Sequence, residues 1–223
     1  MDLSEDWQDV FEDIGEPYVT DALSDKEIES IESILPDDLI DYFRLYGRSV
    51  LFEGRIQICH PIDLSGMLAL VFKADTDFNH KLCHAYAYSS FGEIFFWHQE
   101  YGYSRLLLLD GEIYCSGLTK EEEKEVGFHK TFITAFSSRK DRYELYDLDD
   151  KPLFSRVRKK LGEVSIGECY GFVPALGLGG VPELEKLKKL KAPEHFAILA
   201  QLIDFQFIDV QGYGQSVVVR EIG

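Results

Sequence analysis

Cysteine is scarce in this chain of 223 residues, and its four copies, Cys59, Cys83, Cys115 and Cys169, form no C-x-x-C pair. Scattered thiols among apolar neighbours read as reduced side chains filling a core, so no disulfide framework is expected. The opening stretch, MDLSEDWQDVFEDIGE, has no basic segment and no apolar h-region, and nowhere do about eighteen apolar residues run together. These absences predict a protein of the cytoplasm that does not bind membranes. Catalytic signatures are missing too. There is no G-x-S-x-G elbow, no H-E-x-x-H and no recognisable nucleophilic cysteine, so the chain is expected to be no enzyme and to need no cofactor.

Basic residues are also thin on the ground. The formal charge is −17, and residues 1–50 hold fifteen Asp or Glu against three Lys or Arg, a net −12. Such a surface repels nucleic acid and acidic membranes and attracts basic proteins over a few Debye lengths. Direct nucleic-acid binding is therefore not expected. Carboxylate pairs are plentiful, but with forty acids close pairs arise without catalysis, and a solvated acidic face accounts for them.

What is present is strong periodicity. From Ser4 to Ile14, Trp7, Val10, Phe11 and Ile14 recur at helical spacing with acids over much of the remainder, which predicts an acidic amphipathic helix. Ser24 and Glu27 have capping-box spacing ahead of a second helix to Ile34. In LPDDLIDYFRLYG, Leu35, Leu39 and Phe43 share a helical face that Gly47 terminates. Arg55 to Cys59 alternates like a half-buried strand, and Ile62 to Phe72 returns to helix. His84–Ser89, Glu93–His98, Ser104–Leu109 and Glu112–Cys115 are short aromatic or aliphatic runs between turns, an antiparallel meander. Asp110-Gly111 predicts a two-residue type I′ hairpin. After Thr119, TKEEEKEV, HKTFITAFSS and LFSRVRKKLG read as helical. ECYGFVPAL reads as a strand and APEHFAILAQLID as a helix. The expected fold is α+β: an antiparallel meander packed with N-terminal and C-terminal helices, as one compact unit or two intimate subdomains.

Two stretches tempt a chemical reading. GFVPALGLGG, residues 171–180, precedes what looks like the start of a charged helix, but it lacks the Gly-Lys-Ser or Gly-Lys-Thr of a phosphate loop and the G-x-G-x-x-G spacing of a dinucleotide site. Pro174, Gly177, Gly179 and Gly180 are therefore read as a structural turn with close backbone passage. Cys59-His60 with His80-x-x-Cys83-His84 offers soft ligands, and on a helix His80 and His84 would share a face. The spacing matches no zinc ribbon, and no metal is expected. In WHQEYGYSR, Trp97 and Tyr103 suit the sheet core, while Tyr101, beside Gly102 at a turn, is a candidate partner contact.

LPDDLIDYFRLYGRSVLFEGRIQICHP resembles the opening of the GAD-like domain, and FGEIFFW fits the same domain. YGFVPALGLGGVPELEKLKKLKAPEHFAILAQL resembles the domain that follows GAD-like domains in immunity proteins of bacterial type VI secretion systems. Together the resemblances cover most of residues 30–205, and they suggest a GAD-like part over 1–120 and an immunity-type part over 121–223. The acidic first thirty residues and FQFIDVQGYGQSVVVREIG lie outside the pattern. The resemblance implies binding and neutralisation of a co-encoded toxin, commonly a DNase, by a cytoplasmic protein. Asp9, Glu12, Asp13 and Glu16, on or just beyond the polar side of the first helix, are the carboxylates expected to meet a basic nuclease domain, with Tyr101 as a further contact. Two other readings stand beside this one: a regulatory interaction module without a toxin, and a metal-dependent hydrolase built on His80, Cys83 and His84.

Overall fold

The structure, a computed structural model, describes residues 3–120, 136, 139–211 and 215–222. Its helices are α1 (Glu5–Ile14), α2 (Asp25–Ile31), α3 (Asp37–Tyr46), α4 (Pro61–Phe72), α5 (Ser116–Thr119), α6 (Phe154–Leu161) and α7 (Ala192–Leu199). Its strands are β1 (Val19–Asp21), β2 (Arg48–Leu51), β3 (Ile56–Ile58), β4 (Cys83–Ser89), β5 (Glu93–His98), β6 (Gly102–Leu107), β7 (Glu112–Tyr114), β8 (Glu168–Phe172), β9 (Leu187–Lys191), β10 (Phe205–Gln211) and β11 (Gln215–Ile222). The fold is α+β. The helical readings of TKEEEKEV and of most of HKTFITAFSS lie outside the described residues.

Strands β1 to β7 follow one another across a single sheet that β10 and β11 complete. Every pairing in it is antiparallel except β7 with β10. The last hairpin of the chain thus extends the sheet that the first half begins, and the parallel pairing requires the long connection between residues 114 and 205. Strands β8 and β9 form a separate two-stranded ribbon.

Side-chain alternation along β5 explains the layering. Ile94 and Phe96 enter a core with Leu64, Leu68 and Phe72 of α4, Phe196 and Leu199 of α7, and Phe205 and Phe207 of β10. Phe95 points the other way, into a core with Trp7, Val10 and Ile14 of α1 and Leu39, Tyr42 and Phe43 of α3. Helices therefore cover both faces of the central strands. A third cluster joins Phe154 and Val157 of α6 to Tyr170, Phe172 and Leu187 of the ribbon.

The double coverage corrects one expectation. Residues 55–59 alternate in sequence as a half-buried strand would, yet Ile56, Gln57 and Ile58 are all buried. Ile56 and Ile58 join the α1/α3 core, while Gln57 lies against β8 on the other side. The Asp110-Gly111 turn differs as well. Leu107 pairs with Glu112, so four residues connect the strands, and Gly111 has positive φ (+70°) whereas Asp110 does not. Tertiary contact sets this geometry, because a Cβ on Gly111 would stand 2.6 Å from the carbonyl of Asp204 and the Gly111 carbonyl accepts from Gln206 N at 2.8 Å.

LEKLKKLK forms no helix. A short 3-10 turn over Leu184–Lys186 leads into β9, which pairs with β8 from Phe172↔Leu187 to Glu168↔Lys191. Leucines three apart would suit a helical face, but burial of Leu187 beside Phe154 and Phe172 and the ribbon hydrogen bonds outweigh local propensity, which is a weak prior in tertiary context.

The turn at 171–180 separates two glycine roles. The Val173-Pro174 peptide is cis. Gly179 is left-handed (φ +81°, ψ +17°) with open space where a Cβ would sit. Gly180 lacks that strain, but a Cβ there would fall 2.1 Å from the Pro174 carbonyl oxygen. Gly177 faces Leu202, with a built Cβ at 3.1 Å. Gly180→Ala must push backbone apart and is expected to lose about 1 to 3 kcal/mol, more than Gly179→Ala, which incurs about 1 kcal/mol of left-handed strain. Urea midpoints of the two variants check the ranking, and the reverse order would refute the close-passage account.

Candidate functional site

The acidic face is built on an anchored helix. Trp7 is buried, its ring stacks on Tyr42 with centroids 4.2 Å apart, and its indole Nε1 donates to the Asp38 carbonyl at 3.1 Å. Val10 and Ile14 follow on the same side, also buried. At 100° per residue, Asp9, Glu12 and Asp13 then fall on the opposite side, and Glu16 lies just past the end of α1. All four are exposed, and none forms an ion pair with a described residue. Their charge is free to meet a partner.

A second constellation gathers around Arg48. Arg48, opening β2, donates Nε to Asp63 Oδ2 (2.8 Å), Nη2 to Asp63 Oδ1 (3.0 Å) and Nη1 to Glu27 Oε1 (2.9 Å). Glu27 and Ser24 form the capping box of α2, and Asp63 accepts from the His60 amide at 3.0 Å as part of the corresponding box of α4. One guanidinium therefore ties two helix starts to the sheet. The Ser24 backbone and then the Arg48 guanidinium hold the Glu27 carboxyl down at about 2.

Beside this cluster Gln57 crosses from β3 to the ribbon. Its Nε2 donates to the Glu168 carbonyl (2.7 Å), and its Oε1 accepts from Gly167 N (3.0 Å) and from Tyr88 Oη (2.7 Å). The bonds to Gly167 and Glu168 span more than a hundred residues of sequence, and Gln57 forms part of the wall of a cavity of about 270 Å³ whose mouth carries Lys191 and Glu194. Local periodicity could not reveal this seam. The one signal in the sequence is a lone amide between Ile56 and Ile58, a polar side chain that must find partners once both faces are covered.

The remaining candidates separate in space or are otherwise occupied. Tyr101 is half-buried, packed against the α4/α7 core and stacked on His98 at 4.4 Å. It is therefore an anchored ring away from the α1 face. His60 Nδ1 accepts from Ile62 N at 3.2 Å, as the cap of α4. His80 sits in a 3-10 turn and His84 in β4, so they share no helical face, and Cys83 donates its thiol to the Asn79 carbonyl at 3.4 Å. Among the described residues no three His, Cys, Asp or Glu side chains gather as a metal site. Burial pushes the Cys59, Cys83 and Cys169 thiols well up, which makes them packing groups instead of nucleophiles.

Two family models divide the chain along the line that this seam bridges. Residues 5–109 match the GAD-like domain, and residues 130–203 match the family described as T6SS immunity protein Tdi1, C-terminal. The chain is thus similar to a GAD-like domain followed by a Tdi1-type C-terminal domain. The GAD-like match begins at residue 5, so α1 and α2 belong to that pattern, contrary to the expectation that the first thirty residues stand outside it. The β10–β11 hairpin does lie beyond both matches. Gln57, Arg48 and Asp63 come from the GAD-like match, and Gly167, Glu168, Lys191 and Glu194 from the Tdi1-type match. The fold is shared with the crystal structure of Atu4351 from Agrobacterium tumefaciens, at TM-score 0.86 and 24% identity over 97% of this chain and 98% of that one. No curated protein matches the chain, and no described helix is long and apolar enough to cross a membrane.

Proposed function

We propose that this protein is a non-catalytic immunity protein of the cytoplasm that binds and neutralises a co-encoded toxin, with the acidic face of α1 as the docking surface and a basic nuclease domain, most fittingly a DNase, as the partner. In this reading residues 1–120 form the GAD-like part, residues 121–223 form the immunity-type part, and neither requires a metal or cofactor. The Tdi1-type family match supports the immunity role. The observation that carries the choice of surface is the set of four exposed carboxylates, Asp9, Glu12, Asp13 and Glu16, without ion-pair partners among the described residues, on or just past a helix held rigid by Trp7, Val10 and Ile14. A nuclease presents positive charge to phosphate, so it meets a complementary field here.

Rim charges of this kind steer encounter more than they hold a complex. The variant Asp9→Asn, Glu12→Gln, Asp13→Asn, Glu16→Gln is expected to associate with the toxin roughly ten- to a hundredfold more slowly at low salt and much less so at high salt, with dissociation little changed. Stopped-flow measurement across ionic strength checks this. Association equal to wild type at every salt concentration would leave these acids a role in solubility alone.

A further inference from the structure

The cavity at the seam has no part in the docking surface on α1. Its inner polar groups already have partners: Gln57 is bonded to Tyr88, Gly167 and Glu168, and Arg48 and Asp63 neutralise each other through two hydrogen bonds. Cys59 and Leu64 are buried and supply apolar floor. What remains open is at the mouth. Lys191 closes β9, Glu194 stands in the first turn of α7, both are exposed, and neither side chain forms an ion pair or hydrogen bond with a described residue.

An apolar recess of about 270 Å³, with a cation and an anion at its entrance that are unpaired among the described residues, has the composition of a small-ligand site at a domain junction, where such pockets concentrate. Its size is near the low end of that class, roughly 300 Å³, which suits a molecule no larger than a single amino acid. The two free charges ask for a ligand carrying both signs, and the floor asks for an aliphatic or aromatic side chain.

We propose that this cavity binds a free apolar L-amino acid, with its carboxylate at Lys191, its ammonium at Glu194 and its side chain over Cys59 and Leu64. A carboxylate-only or amine-only ligand would leave one mouth charge unmatched. Walls from both family-matched segments would close on the ligand, so occupancy stabilises the folded chain by mass action.

The test uses the full chain alone, so its failure leaves the immunity reading untouched. Leucine, methionine and phenylalanine are titrated by calorimetry and by melting temperature, with N-acetyl-leucine and leucinamide as probes that each lack one charge. The expected result is saturable binding of at least one free amino acid with a concentration-dependent rise in melting temperature, and at least a roughly tenfold weakening for both blocked forms, since a lost charged hydrogen bond is worth about that factor. Lys191→Gln and Glu194→Gln, at exposed positions that leave the fold intact, should each weaken the free amino acid similarly. Lys191→Gln should leave the amide unaffected, and Glu194→Gln should leave the N-acetyl form unaffected. Absence of saturable binding by all three amino acids overturns the proposal, as does binding that neither the blocked forms nor the two variants weaken.

Discussion

Replacing Trp7 by alanine is expected to cost about 3 to 5 kcal/mol of stability, the range for truncating a large buried aromatic. The indole is 2% exposed, stacks on Tyr42 at 4.2 Å, leans on Phe11 at 5.6 Å and donates to the Asp38 carbonyl. It is the largest attachment of α1, whose ten residues are too few to hold a helix in water without packing. Loss of the ring should therefore loosen the helix as well as leave a void, and the four carboxylates would lose their fixed presentation. Two readouts follow: a lower urea midpoint, and slower association with the toxin even though every acid is still present. Trp7→Phe keeps a ring and loses one hydrogen bond, so it should lose much less and associate normally. A Trp7→Ala midpoint equal to wild type would mean that α1 is held by other contacts.

Gln57 is expected to show the next largest effect. Gln57→Leu keeps most of the volume but strips partners from the Glu168 carbonyl, the Gly167 amide and the Tyr88 hydroxyl. Each buried group left unpaired costs about 1 to 3 kcal/mol. Water entering from the adjoining cavity can satisfy some of them, so a total of about 3 kcal/mol is expected instead of the full sum. Tyr88→Phe removes a single donor and should lose about 1 kcal/mol. The urea midpoints of both variants check this. A loss for Gln57→Leu no greater than for Tyr88→Phe would show that the amide does not hold the seam. Strands β10 and β11 tie the end of the chain into the main sheet as well, so the variant should still unfold in one transition.

Much of the local structure was legible because it is written in neighbouring residues. The spacing of Trp7, Val10 and Ile14 gave α1 its buried side, and the Ser24/Glu27 pair forms the capping box that its spacing suggests. The run EIFFWH is the strand Glu93–His98 that its aromatic content predicts. Where a stretch had to choose between local preference and a distant partner, the sequence misled. LEKLKKLK has the leucine spacing of a helix and becomes β9, because β8 supplies its hydrogen bonds and α6 its apolar cover. Asp110-Gly111 has the composition of a tight hairpin and becomes a four-residue connection, because Asp204 presses on Gly111.

The functional residues divide in the same way. The acidic first fifty residues and the polar side of α1 follow from composition and helical period alone, since charge and a repeat of 3.6 residues are local properties. The amino acids by themselves thus determined an acidic α+β protein with an amphipathic first helix and, through LPDDLIDYFRLYG and YGFVPALGLGG, its resemblance to GAD-like and immunity-type domains. Tertiary structure alone decided which side of β3 Gln57 would face, that Arg48 would join Glu27 to Asp63, and that Lys191 and Glu194 would stand at the mouth of a cavity floored by Cys59 and Leu64. Gln57 and its partners Gly167 and Glu168, like Lys191 and the cavity floor, come from segments more than a hundred residues apart, and no periodicity or cap encodes their meeting. Pairing of distant strands and burial of both sheet faces bring them together, and both depend on the whole chain.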